Sequence, residues 1–212
     1  MGTFDQEAVL RRYAAATETA HAELTELDQH SGDGDFGDNL RGGLRDAVAR
    51  FESGASGPFA ALGEVFLDEV GGTSGPLLGL LFTELAQALE RTGDARDNGA
   101  AARAWAEGAG AGLAAIQRVG EARVGDRTLV DALAPAVEAL PQGFASAARA
   151  AGAGAAHTGD LRARMGRASY VGERAKGRPD PGAVGVALLF WAAAAVAEPD
   201  GDFPAPVTTP LG

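Results

Sequence analysis

The run Leu27-Asp28-Gln29-His30-Ser31-Gly32-Asp33-Gly34-Asp35-Phe36-Gly37-Asp38-Asn39 places the carboxylates of Asp28, Asp33 and Asp35 within eight residues, interleaved with glycine. Like charges crowded this closely repel one another unless a cation lies between them. Oxygen donors without Cys or paired His select a hard cation, Mg²⁺ or Ca²⁺, and glycine lets the chain curl so that the three acids converge. The Ca²⁺-loop pattern fails from Asp33: Gly37 and Asp38 stand where an Asp or Asn and then a Gly are needed, and Leu44 where the closing Glu belongs. A metal-free alternative is a solvated Asx turn that caps the helix after it. Asp28, at the end of the preceding helix, favours the metal.

Three more loops carry polar groups suited to a ligand. Gly71-Gly72-Thr73-Ser74-Gly75-Pro76 can offer backbone N–H groups and two hydroxyls to an anion at a helix N-terminus, or can serve as a Gly C-cap followed by a Ser/Thr N-cap. It is not a Walker A loop, because the chain has no Gly-Lys-[Ser/Thr]. Gly166-Arg167-Ala168-Ser169-Tyr170 leads through Gly172-Glu173-Arg174 to Asp180-Pro181-Gly182. Arg167 or Arg174 can hold a phosphate as a planar fork, or the segment is a surface loop of weak ion pairs. The stretch from Gly120 to Leu129 is open to the same two readings.

These loops need a frame. Val9, Leu10, Tyr13, Ala16, Ala20, Leu24 and Leu27 recur at spacings of three and four and draw one stripe along a helix. The same pattern predicts helices over 38–52, 57–70, 75–91, 98–118, 128–140, 142–157 and 182–197, about eight in all. Ile occurs once and no segment alternates for long, so the fold class is all-α. Thr128 and Asp131 fit a capping box, Asp180-Pro181 fits a capped helix start, Pro141 ends a helix, and Pro135 should kink or shorten the one it lies in. The expected organisation is one domain over 1–198 and an irregular, Pro-rich tail over 199–212.

Composition narrows the partners. The chain has 47 Ala and 31 Gly among 212 residues without a collagen period, so it must bury its core through closely approaching helices. With 18 Lys+Arg against 29 Asp+Glu its net charge is −11, which argues against nucleic acid. There is no Cys, and His21, His30 and His157 are too scattered for a zinc site. The N-terminus lacks an apolar signal core, and the most apolar run, Val184 to Ala197, is too short to span a bilayer. A soluble, cytoplasmic protein without a membrane partner is expected.

Taken together and in order, the four loops resemble the L subunit of dihydroxyacetone kinases, the nucleotide-binding subunit. That family carries G-D-x-D-x-G with an upstream Asp, G-G-x-S-G, G-D-[KR]-T, and G-R-A-S-Y-x-G-E-R followed by D-P-G. This sequence has Asp28 with Gly32 to Gly37, Gly71 to Gly75, Gly125-Asp126-Arg127-Thr128, Gly166 to Arg174 and Asp180-Pro181-Gly182. The resemblance implies a single-domain barrel of about eight mostly antiparallel helices with a nucleotide, ADP or ATP, held by loops at one end. It implies that Asp28, Asp33 and Asp35 bind two Mg²⁺ ions, and that Gly37, Asp38 and Asn39 line the nucleotide. Thr73 and Ser74 would meet phosphate, Gly120 and Leu129 would flank the base, and Arg167 with Asp180, Pro181 and Gly182 would complete the site. Arg167 would also assist the transfer as the catalytic cation. Phe36 stands where the family often has His, which removes a polar contact near the phosphates. The implied activity is phosphoryl transfer to dihydroxyacetone held by a separate K subunit, with ADP as a bound coenzyme recharged by a phosphohistidine-carrying phosphotransferase protein. The alternatives are an ATP-dependent kinase subunit for another small ketose and a nucleotide-binding regulatory module.

Overall fold

A computed structural model describes residues 4–93 and 97–206. Eight α-helices follow one another: α1 Gln6–Ser31, α2 Phe36–Glu52, α3 Pro58–Asp68, α4 Ser74–Thr92, α5 Asn98–Gly120, α6 Val130–Ala139, α7 Phe144–His157 and α8 Pro181–Ala197. Among the described residues there is no strand. Each helix packs against the next, and α8 returns to pack against α1, so the ring closes into a barrel. Most connections are short, which forces neighbours to run antiparallel. The α1–α2, α3–α4, α5–α6 and α7–α8 connections therefore all emerge at the same end, and these are the four loops whose chemistry stood out in the sequence.

Helix boundaries follow local chemistry. Asp5 caps α1 by accepting from the Ala8 N–H at 3.0 Å, Asp97 caps α5 by accepting from Ala100 at 2.7 Å, and Asp180 caps α8 by accepting from Ala183 at 2.9 Å. The Asp131 carboxylate accepts from the Thr128 N–H at 2.8 Å, and the Thr128 hydroxyl accepts from the Val130 N–H at 3.2 Å, close to the expected capping box. Pro135 is tolerated inside α6, which ends four residues later at Ala139 and tightens into a 3₁₀ turn over Leu140–Gln142. Residues 199–206 form no helix, and 207–212, the rest of the expected tail, lie outside the described residues.

The end opposite the four loops is sealed by aromatic rings. Trp105 makes edge contacts with Phe59 and Phe144, each at 5.4 Å between centroids, and with Phe190 at 5.6 Å, while Phe4 stacks on Phe144 at 4.9 Å. Elsewhere small residues let backbones touch. A Cβ on Gly108 would lie 2.8 Å from the Leu85 Cα, and one on Gly154 would overlap the Asp131 carbonyl oxygen. α8 is apolar around its whole circumference and buries 14 of its 17 residues, which makes it the most enclosed element and a fixed wall for whatever its N-terminus supports. Among the described residues no helix is long and apolar enough to cross a membrane.

Candidate nucleotide and metal site

One cleft opens at the loop end of the barrel, and all four loops line it. Its acidic side is the α1–α2 connection. Atoms of Asp28, Asp33 and Asp35 that could each ligate an ion lie within 4.8 Å of one another. The turn is shaped around that cluster. The Phe36 N–H donates to Asp28 Oδ2 at 3.1 Å, so Asp28 reaches across and closes the loop. A Cβ at Gly32 would overlap Asp28 Oδ1, and Gly34 has φ +85°, a backbone that favours glycine. Asp35 sits at the N-cap of α2 yet makes no capping hydrogen bond, so the Asx-turn alternative is not what the loop adopts. Three carboxylates that converge on one place, only one of them engaged with the α2 N-terminus, fit a hard divalent cation.

The opposite rim supplies positive charge. Gly166 turns the chain with φ +56° into a 3₁₀ turn over Arg167–Tyr170, which lays the Arg167 guanidinium against Asp33, with Asp35 at 3.9 Å. Arg174, the other candidate cation of this loop, is exposed and does not line the cleft. From the third direction, Gly72, Thr73 and Ser74 border the cleft at the start of α4. Thr73 makes no capping hydrogen bond, which leaves its hydroxyl available to a ligand.

Behind this polar mouth the wall turns apolar. Gly120 and Leu129 line it as expected, joined by Leu77, Ile116, Ala122 and Met165, none of which sequence reasoning singled out. Apolar residues at helical spacing look the same whether they face a core or a ligand, so no sequence signal separates them. Phe36 is buried in the same wall and packs beneath α8 at Gly185.

Gly37, Asp38 and Asn39 occupy the first turn of α2, beside the cleft lining rather than in it. Gly37 lies against α1, where a Cβ would come within 3.0 Å of the His21 carbonyl oxygen. Asp38 accepts from Arg41 Nη2 at 2.7 Å and lies 2.9 Å from His21 Nε2. The His21 hydrogen bond, aided by Arg41, holds the Asp38 carboxyl below the usual carboxylate range. Asn39 Nδ2 lies near the second loop, 3.7 Å from where a Cβ on Gly72 would stand.

The last side of the cleft is Asp180-Pro181-Gly182 at the start of α8. Asp180 Oδ1 is used by the Ala183 cap, and Oδ2 lies 3.9 Å from Nη1 of Arg127, whose side chain is fully buried. Burial pushes the Asp180 carboxyl up to about 6, against the pull of the cap and of Arg127. A carboxyl whose folded value is raised favours the fold in its protonated form. Its contribution is therefore complete below the unfolded value near 3.8 and is lost as the pH rises through about 6. In metal-free buffer the wild type should gain stability relative to Asp180→Asn between pH 7 and pH 4.5, by about 2 kcal/mol. Chemical denaturation of both proteins across that range measures the difference, and a constant difference would contradict the assignment.

With the site in place, comparison with known proteins is direct. A model of the DAK2 domain matches residues 30–195, a range that holds Asp33, Asp35 and the other cleft-lining loops and begins two residues after Asp28. The chain belongs to the DAK2 domain family. This DAK2 domain is 37% identical over 174 residues to the ADP-binding subunit DhaL of PEP-dependent dihydroxyacetone kinase 1 from Listeria innocua, covering 80% of this chain and 84% of the relative. It is 38% identical over 200 residues to L-erythrulose 1-kinase of Mycolicibacterium smegmatis, covering 87% of this chain but only 34% of that protein. The crystal structure of the dihydroxyacetone kinase from C. freundii in complex with AMP-PNP and Mg²⁺ superimposes with a TM-score of 0.68 at 29% identity, over 89% of this chain and 33% of that one. The DAK2 domain thus spans about a third of the longer kinases it resembles and most of the length of the separate ADP-binding subunit.

Proposed function

We propose that this DAK2 domain is the nucleotide-binding, phosphoryl-transferring subunit of a dihydroxyacetone kinase. The observation that carries the reading is the convergence on one cleft of Asp28, Asp33 and Asp35, the Thr73 and Ser74 hydroxyls, Arg167 and an apolar wall. The three carboxylates would hold two Mg²⁺ ions, which when bound neutralise charge on the nucleotide phosphates. Arg167 adds a guanidinium on the same side, Thr73 and Ser74 orient phosphate oxygens, and Leu77, Ile116 and Leu129 receive the base. Gly37, Asp38 and Asn39 support the phosphate end from the first turn of α2. The cleft holds about 210 Å³, less than a typical ligand pocket of roughly 300 Å³ or more, so part of a nucleotide would remain outside it. No side-chain nucleophile is required, because phosphoryl transfer depends chiefly on positioning and charge neutralisation.

The sugar belongs to another subunit in this reading. The 84% coverage of a separate ADP-binding subunit supports a K subunit as partner, with dihydroxyacetone as its cargo, and supports ADP as a retained coenzyme recharged by a phosphohistidine-carrying protein. The rim of the cleft suits docking. Val119 and Val124 are each 64% exposed and Tyr170 is 87% exposed, on segments that also expose Arg118, Arg123 and Arg164 together with Glu121 and Glu173, a partly apolar surface of mixed charge suited to a partner. The likeness to L-erythrulose 1-kinase favours one second reading, an ATP-dependent unit acting on another small ketose. In either case residues 1–198 form the working unit, 199–212 its tail, and the cytoplasm its location. Mixing the purified chain with a dihydroxyacetone kinase K subunit, dihydroxyacetone, and either ATP or the phosphotransferase components should yield triose phosphate. No product under either donor would overturn the kinase reading.

A further inference from the structure

Arg127 is a buried cation that the chemistry described above does not use. Only 1% of the residue is exposed, and its backbone adopts φ +61°, an uncommon and costly conformation for a residue with a side chain. Its Nη2 donates to the Arg178 carbonyl oxygen at 3.0 Å and reaches that of Pro179 at 3.4 Å, and its Nη1 faces Asp180 Oδ2 at 3.9 Å. Nε and Nη1 have no hydrogen-bond partner and no contact with solvent. Burying a guanidinium this incompletely satisfied is expensive, and removing it would leave Asp180 buried without a counter-ion. The other side of the same turn is held independently: the buried Thr158 hydroxyl accepts from the Asp180 N–H at 2.7 Å. The α5–α6 loop and the end of α7 thus grip three consecutive residues, Arg178 to Asp180, directly before the cleft wall at Pro181 and Gly182. A Cβ at Gly182 would lie 3.5 Å from that of Leu129, two residues from Arg127, so the grip also sets the separation of two apolar walls.

From this geometry we infer that Arg127 and Thr158 are positioning residues that fix the Asp180-Pro181-Gly182 wall of the cleft against Leu129. Thr158 lies outside the cleft lining, and Arg127 borders the cleft with its guanidinium turned onto the 178–180 backbone, so both act through the turn between them. Nη2 meets both carbonyl oxygens while Nη1 faces the carboxylate 3.9 Å away, a spread over two nitrogens that the single ammonium of lysine reproduces only in part. The ligand consequence rests on the nucleotide reading above, whereas the positioning itself does not.

The test combines hydrogen exchange with binding on the full chain. Arg127→Met should raise deuterium uptake across 178–184 while leaving 28–40 as in the wild type, and should weaken Mg-ADP binding by about tenfold or more. Arg127→Lys should fall between the two. Thr158→Val should loosen the same peptide, and its effect on ADP affinity should combine with that of Arg127→Lys less than additively in free energy, because both act on one turn. Unchanged exchange at 178–184, or unchanged ADP affinity in Arg127→Met, would overturn the inference. So would a uniform loss of protection in both Arg127→Met and Thr158→Val, which would make these residues general supports of the fold. If the wild type failed to bind Mg-ADP, the nucleotide reading would fall, and exchange at 178–184 would still decide whether Arg127 and Thr158 hold the turn.

Discussion

Asp33→Asn should weaken Mg-ADP binding by about a hundredfold, close to 2.7 kcal/mol, and should abolish the rise in melting temperature that Mg-ADP produces. Asp33 and Asp35 are exposed and make no cap, so neither carboxylate is needed to build the loop. Asn preserves the shape but removes the charge that balances a divalent cation, and the phosphates lose the cation that joins them to the protein. Asp35→Asn should behave alike. The control is the melting temperature without ligand, which should move little, because the pair that Asp33 makes with Arg167 lies at the surface. Calorimetric titration together with thermal melts measures both quantities. Mutants that bind Mg-ADP as well as the wild type would remove Asp33 and Asp35 from the metal site.

Arg167→Ala should separate chemistry from binding. Its side chain is 61% exposed on a 3₁₀ turn and packs into no core, so its removal leaves the barrel intact. It sits against the acids at the phosphate end and away from the apolar wall that would receive the base. Charge at that position contributes most where charge develops during transfer. Turnover in the reconstituted kinase should fall by about two to three orders of magnitude while ADP affinity changes less than about fivefold. Equal losses in both would make Arg167 a binding residue only. Arg167→Lys should recover part of the turnover, since it restores a charge but not the fork.

Much of this molecule is legible in its sequence because the decisive chemistry is local. The acids at 28, 33 and 35 share one turn with the glycines that shape it, and Asp180-Pro181 marks the start of α8 with a cap and a proline. Helix periodicity and caps place all eight helices within a few residues, and short connections then make the up-and-down order follow. What stays hidden is pairwise and long-range. His21 reads as an isolated histidine until α2 brings Asp38 beside it, and Arg127 reads as part of a polar loop until the carbonyls of Arg178 and Pro179 arrive more than fifty residues later. Leu77 and Ile116 carry the helical spacing of core residues and line the cleft only because they sit where their helices meet the open mouth of the barrel.

If metal and nucleotide share the cleft formed by the four loops, ADP binding must depend on the cation. Titration of the purified wild-type chain with ADP, once in millimolar Mg²⁺ and once in excess EDTA, measures that dependence. Saturable binding in Mg²⁺ that weakens at least about a hundredfold in EDTA is the predicted result. Equal affinity in the two buffers would contradict it.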